Sequence, residues 1–488
     1  MVVGEFTASA IAMEEDKREE EEQAKKDSTV DYAKLEADIA ANKTLAAQGS
    51  VTDAVEGLLS LEKTQRLAEN LRATKMCCTA VLEVCYDAKD WKLLNEHVML
   101  LAKRRAQLKQ AVQAFVRQAM GYISDTPDLP TKVELIKTLQ SVTEGKIYVE
   151  IERARLTKML AKIKEDEGDI EGAADILQEV AVETFGAMAK VEKIAYIMEQ
   201  VRLCLDRKDF TRALILSKKI SPRVFRDAAR KEEAGEIGIE GTAIEAPAEG
   251  TPDMQALKLQ YYGLMIRYYA HHDNYLEVCR SYKAILDTKS IEEEPAKWMP
   301  VLKCIVWNVV LAPNGTEQVT LLNNTAGDKR LDDMPMYKKL LSTFITDEVV
   351  RWSQLSAEYA AEMQAIGEIF GGEVGSKRAE DFRLRVVEHN ILVIAKYYSR
   401  VQMPRLAELL DLSADEAEKR LSEMVVSKAL YARVDRPAGF VRFNERTEPS
   451  QILNKWSNNM AKLLDLVEKS CQQIQKESMQ YKVPIGST

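Results

Sequence analysis

The residues able to do chemistry are few, and their spacing leads away from catalysis. The four histidines are His97, His271, His272 and His389. None stands in HExxH or in a His-x-His pair, the spacings that present two imidazoles to one zinc ion. His271 and His272 precede a turn and read as ordinary turn residues. His389 lies on an amphipathic helix and reads as a hydrogen-bonded structural histidine. The seven cysteines are scattered, with Cys77 beside Cys78 and no CxxC pair. That usage fits reduced thiols in cytosol or nucleus, and no spacing couples one of them to a histidine as an activated nucleophile. Gly235, Gly238 and Gly241 form GxxGxxG, but no strand precedes them and no Lys-Ser/Thr follows, so a phosphate loop is not built. Gly372–Lys377 (GEVGSK) fails the same test. The chain is therefore expected to be no enzyme, with no catalytic residues, no cofactor and no metal.

What remains is the chemistry of surfaces, and it concentrates near the C-terminus. Leu384, Val387, Ile391, Ile394 and Tyr398 fall on one stripe of an amphipathic helix. Pro404 suits the first turn of a second helix carrying Leu406, Leu409 and Leu410. Ser413 and Glu416 make a capping box for a third helix that buries Ala417, Leu421, Met424 and Val425. Leu430–Asp435 and Phe440–Phe443 are β-type runs joined by Arg436-Pro437-Ala438-Gly439, a hairpin turn. Three helices and a hairpin over 381–443 predict a winged helix.

A winged helix suggests DNA, but its would-be recognition helix carries Asp415, Glu416, Glu418 and Glu423 against only Lys419 and Arg420. A net-negative helix repels phosphates. Arg433, Arg436 and Arg442 on the wing fit a solvated or protein-facing surface, so no nucleic acid is expected. The last strand, Phe440, Val441, Arg442 and Phe443, is expected to be a sheet edge able to accept a strand from a neighbour. Past the wing, a final helix over 450–476 aligns Leu453, Trp456, Met460, Leu463, Val467 and Ile474 on a coiled-coil-like seam. It reads as an intersubunit contact, with docking back on its own chain as the alternative.

The elements before this module repeat one theme. Turn-like spots that open a new helix occur at Ser50-Val51, Asp90-Trp91, Asp169-Ile170 and Asp209-Phe210. They lie about 40 residues apart, or two such steps across the break at Thr126–Pro130. Asn274-Tyr275 is displaced further by a surface insertion rich in Glu, Gly and Ala, Lys231–Asp253. "EGDIEGAADILQEV" and "RKDFTRALILSKKI" each show an acidic turn, a bulky apolar residue and then Ala, small enough for two helices to approach closely. The expected fold is all-α, a right-handed, TPR-like solenoid of helical hairpins, with a non-repeating bundle as the alternative. The expected domains are a disordered acidic tail (1–30), a solenoid (31–255), a domain of helices (256–375) ending in the winged helix (256–447 in all), and the terminal helix. Trp298, Trp307 and Trp352 are candidate core anchors, and Gly371–Lys377 reads as a flexible step.

Composition agrees. A chain of 488 residues exceeds one core, and 30% charged residues with a net charge of −9 suit a soluble protein without a polyanion partner. No apolar run reaches the roughly 18 residues that span a bilayer, so no membrane is expected. Cys304–Ala312 is short and interrupted by Asn308. No basic-then-apolar leader opens the sequence, so secretion is not expected.

Helical repeats running into a winged helix and a last helix resemble the plan of PCI proteins, named for the proteasome lid, the COP9 signalosome and translation initiation factor 3. "RVVEHNILVIAKYYSRV" (Arg385–Val401), "LLDLS" (Leu409–Ser413) and "VDRPAGFVRF" (Val434–Phe443) are similar to the winged helix of the family's proteasome-lid branch. So are the long run Asp125–Ile170 and "KKISPRVF" (Lys218–Phe225). The likeness covers Asp31–Lys476; the insertion and the tail depart from it. It implies a non-catalytic scaffold in the lid of the 19S regulatory particle of the 26S proteasome, serving ubiquitin-dependent degradation in cytoplasm and nucleus. The implied partners of this hetero-oligomer are the other lid PCI subunits, the lid's metalloprotease deubiquitinase and the α-ring of the 20S core. The paralogous COP9 signalosome subunit shares this layout and is the nearest alternative.

Overall fold

The computed structural model describes residues 31–227, 246–248, 250–443 and 449–481. The acidic tail and most of the insertion expected at 231–253 lie outside the described residues. Two compact units divide at Trp298/Met299. That is later than the expected 255/256, because helix Met254–His271 packs Leu257, Tyr261 and Met265 into one core with Val201 and Leu205 of helix Lys190–Asp206.

The first unit is a solenoid of helical hairpins. Tyr32–Ala47 pairs with Val51–Leu67 and Leu71–Asp87 with Trp91–Lys103, whereas Lys109–Gly121 packs on Leu71–Asp87, and Leu129–Thr143 on Trp91–Lys103 and Glu150–Asp166. Glu150–Asp166 pairs with Ile170–Gln178, Lys190–Asp206 with Phe210–Ser217, and Met254–His271 with Tyr275–Leu286. The helix beginning at Leu129 supplies the step missing between Trp91 and Ile170.

One turn is used repeatedly. In 88–90, Lys89 is left-handed (φ 53°), and the amides of Lys89 and Asp90 return to the Tyr86 and Cys85 carbonyls at 2.9 and 3.3 Å. The Asp90 carboxylate then accepts the Leu93 amide at 3.1 Å and starts the next helix. Gly168 and Asp169, Lys208 and Asp209, and Asp273 and Asn274 repeat this construction. Orphan carbonyls at one helix end and orphan amides at the next are thus satisfied within three residues. Ser50 differs, since its hydroxyl donates to the Leu45 carbonyl instead of capping. Small side chains follow the turns: Ala54, Ala173 and Ala213 are buried.

Between hairpins, charge joins the packing. Arg117 Nε donates to Glu152 Oε1 at 2.7 Å, and Arg155 holds both oxygens of Glu192 at 2.8 and 2.9 Å. Arg202 grips Glu165 at 2.6 Å from each terminal nitrogen. Each rung ties the first helix of one hairpin to the first helix of the next. Glu62, fully buried, is held by Arg66 and Arg104, and Arg66 also donates to the Arg105 carbonyl. That network fixes the chain crossing from the second hairpin to the third.

The second unit is built on an aromatic cluster. Trp307, fully buried, meets Tyr359, Phe370 and Phe382 edge-on with ring centroids 5.0–6.1 Å apart. Trp352 is only half-buried, against Phe382. Helix Gly372–Tyr397 replaces the flexible step expected at Gly371–Lys377. Gly375 is required there, since a Cβ would run into the Phe370 carbonyl where the short helix Gly367–Phe370 abuts. Asn390 donates to the Val350 carbonyl and accepts the Val350 amide, both at 2.8 Å, pairing with that extended segment as a strand would.

Helix Gly372–Tyr397, helix Met403–Leu410 and helix Ala414–Val426 enclose a separate small core of Val387, Ile391, Leu406, Leu410, Ala417, Leu421 and Met424. Tyr398 lies past the helix end and is exposed rather than on the core stripe. Ser413 Oγ accepts the Glu416 amide at 3.3 Å, half of the expected capping box. The sheet has three strands where a hairpin was expected: β1 (Arg400–Gln402), β2 (Arg433–Asp435) and β3 (Phe440–Arg442), in the order β1-β3-β2, all antiparallel. Val401, Val441 and Val434 stand abreast, with Val401 and Val441 buried in the core.

Asp209→Ala should lower solenoid stability by about 1 kcal/mol through loss of its cap, read as a shifted urea midpoint. Val441→Pro tests the sheet. The bonds Met403 N to Gly439 O and Phe443 N to Ser399 O place hydrogen-bonded pairs at every second position, and Val441 pairs with Val401 between them. The proline should therefore break the sheet itself, exposing the wing to proteolysis; an undisturbed cleavage pattern would refute this register.

Candidate protein-interaction surfaces

The winged helix places the expected docking strand differently. β3 is the central strand, paired on both sides, so Phe440–Phe443 is not a sheet edge. Val441 is fully buried, Phe443 is nearly so, Phe440 is half-buried, and Arg442 is exposed. The edges belong to β1 and β2. β1 was hidden from sequence reading because a three-residue strand closing onto a partner some forty residues away resembles a loop end.

The exposed face of this sheet is basic. Arg400 stands opposite Arg442, and Arg442 opposite Arg433, so three guanidinium side chains share one cross-strand row. Arg400 lies over the Phe440 ring at 3.5 Å, and Arg433 over Tyr431 at 5.8 Å. Arg436 at the turn is bound to Glu418 of the third helix at 2.6–2.7 Å. That helix keeps Asp415, Glu416 and Glu423 exposed, which disfavours insertion into a nucleic-acid groove.

The terminal helix runs from Pro449 to Tyr481, 33 residues, or roughly 50 Å at 1.5 Å per residue. Leu453, Trp456, Met460, Leu463, Val467 and Ile474 recur on one side and are all exposed, Trp456 at 63%. Leu464 and Leu466 widen the stripe and are equally bare. Burying side chains of this size is worth about 1.5–3 kcal/mol each, a stabilisation that the exposed seam does not gain within the described residues.

The residues considered for chemistry are occupied with structure. Burial holds His97 and His389 below the ordinary histidine pKa, and His389 faces the Glu348 carbonyl at 3.2 Å. His271 stacks on Phe210 with centroids 3.8 Å apart, and His272 meets the Tyr268 carbonyl at 3.0 Å. The thiols of Cys77, Cys78, Cys85 and Cys279 are buried and pushed up to about 12, which makes them poor nucleophiles. Among the described residues, no group of three His, Cys, Asp or Glu side chains is placed to hold a metal ion. No described helix is long and apolar enough to cross a membrane.

Three family models match the chain in order. They are the PSMD12/CSN4 N-terminal family over 53–234 and 244–294, the PCI domain over 360–445, and the 26S proteasome regulatory subunit RPN5 C-terminal domain over 450–482. The Arabidopsis thaliana 26S proteasome non-ATPase regulatory subunit 12 homolog A is 56% identical over 90% of this chain and 99% of its own. The Saccharomyces cerevisiae 26S proteasome regulatory subunit RPN5 is 37% identical over 89% of this chain and 93% of its own. The Drosophila melanogaster COP9 signalosome complex subunit 4 is 23% identical over 76% and 80%. The matches run through solenoid, winged helix and terminal helix alike, and the chain belongs to the family of 26S proteasome non-ATPase regulatory subunit 12.

Proposed function

We propose that this chain is a non-catalytic scaffold of the proteasome lid, working through contacts rather than chemistry. The carrying observation is the exposed apolar seam of helix Pro449–Tyr481, which sits within the span matched by the RPN5 C-terminal model. A helix that leaves Trp456, Leu463 and Val467 in water gains its stability on joining partner helices. In this reading the seam enters a bundle with other lid subunits, and the winged helix joins sibling PCI subunits through β1 or β2. The solenoid reaches the α-ring of the 20S core, and the assembled surface positions the lid's metalloprotease deubiquitinase for degradation of ubiquitinated proteins in cytoplasm and nucleus. The signalosome alternative is disfavoured by 23% identity against 56%, and a nucleic-acid role by the acidic third helix.

Affinity purification of the tagged chain should recover lid and core subunits with ATP-stimulated peptide hydrolysis. Recovery of a peptidase-free complex that strips a ubiquitin-like modifier from cullins would overturn the assignment. The pair Trp456→Ala and Leu463→Ala should each remove roughly 2 kcal/mol or more of association energy, leaving the chain folded by circular dichroism but at least tenfold depleted from the particle. Normal incorporation would show that the seam is not an assembly contact.

A further inference from the structure

Like charges directly opposite one another across a sheet are destabilising, yet the wing sets Arg400, Arg442 and Arg433 side by side. All three are exposed, and none has an ion pair among the described residues. Asp435 shares their face, but its carboxylate accepts the Ala438 amide at 3.4 Å within the hairpin turn. Arg400 lies over Phe440 and Arg433 over Tyr431, contacts that use the guanidinium faces and leave the N–H edges available for hydrogen bonds. Next to the row, a shallow cavity of about 580 Å³ is lined by Arg433, Arg436, Arg442, Asp435, Glu418 and Ser422.

We propose that the solvent face of this three-stranded sheet docks a carboxylate-rich segment of a neighbouring protein subunit, with Arg400, Arg442 and Arg433 as the receiving row. The inference rests on the scaffold reading and specifies the chemistry of one partner. Neighbouring strands are about 4.8 Å apart, so the row offers three forks across roughly 10 Å. A strand or helix with two or three Asp or Glu on one side can meet it with paired, charge-assisted hydrogen bonds. Nucleic acid fits less well. Glu418 already occupies Arg436 and lines the same cavity with Asp435, and Asp415, Glu416 and Glu423 stay exposed on the third helix, so a long phosphate backbone would be repelled while a short acidic segment can stay on the sheet. The chain's own acidic stretch, Glu14–Asp27, is a poorer occupant because it interleaves eight acids with Lys17, Arg18, Lys25 and Lys26.

The test places a photo-reactive benzoylphenylalanine at Arg442 in the full chain, purifies the assembled particle and maps the cross-link by mass spectrometry. The expected product is a peptide of another subunit with a clear excess of Asp and Glu. In parallel, the triple variant R400E/R433E/R442E should reduce recovery of that subunit at least tenfold at physiological salt. Arg in place of the acids in the cross-linked peptide should restore it. A cross-link to a basic or apolar segment, to nucleic acid, or to residues 1–30 or 444–448 of this chain would overturn the proposal, as would no cross-link at all. If the chain enters the particle and the arginines capture nothing acidic, only this inference fails. If the unmodified chain does not enter the particle, the scaffold reading fails first.

Discussion

No hairpin of the solenoid can hide its apolar face alone, and that constraint governs the chain from Tyr32 to Leu286. Each unit is stable only against its neighbours, so the spacing from one hairpin to the next must be held closely. Two devices hold it. The turn of a left-handed residue followed by Asp or Asn fixes how one helix leaves and the next begins, and the Arg–Glu rungs link successive first helices. The rungs at Glu152 and Glu192, and the separate Glu62 network, are buried on their carboxylate side. Breaking a buried pair by removing one partner costs about 3–5 kcal/mol, because the survivor is left without solvent or counter-charge.

The second unit meets a different demand: it must present surfaces while staying folded. The winged helix solves this with a core of its own, so its outer face is free to carry charge that a core would not tolerate. The terminal helix goes further, with almost no burial in the chain by itself. Its polar residues face water on one side and its apolar seam stays exposed on the other, which in the scaffold reading is the side that other helices cover. Between them, a basic sheet face and an apolar seam give two chemically distinct handles. Distinct handles help to fix which neighbour goes where, since a partner suited to one is poorly matched to the other.

Much of this was legible in the sequence, for physical reasons that differ from element to element. The solenoid could be read because Asp90, Asp169, Asp209 and Asn274 perform the same task at the same place in four of its turns, leaving a period. The seam could be read because helical periodicity does not depend on what covers it. The sheet was misread because strand order is set by non-local pairing. Nothing local to Arg400–Gln402 announces that it will flank Phe440–Arg442, and without it the last strand looks like an edge. For the same reason the arginine row was visible only in part, since Arg433 and Arg442 belong to the hairpin and Arg400 joins them only through β1. Gly372 and Gly375 pointed to flexibility, but there a glycine serves close packing of two helix ends. The boundary at Trp298 was hidden because packing onto helix Lys190–Asp206, rather than composition, decides where the solenoid stops.

In the scaffold reading, the terminal helix is completed by partner helices. Hydrogen–deuterium exchange over 453–474, compared between the free chain and the purified particle, tests it most directly. Rapid exchange is expected in the free chain, where only the helix's own bonds resist opening, with slowing by about two or more orders of magnitude on assembly. Equal protection in the two states would contradict it, and the seam would then have to be explained as a surface that the particle leaves bare.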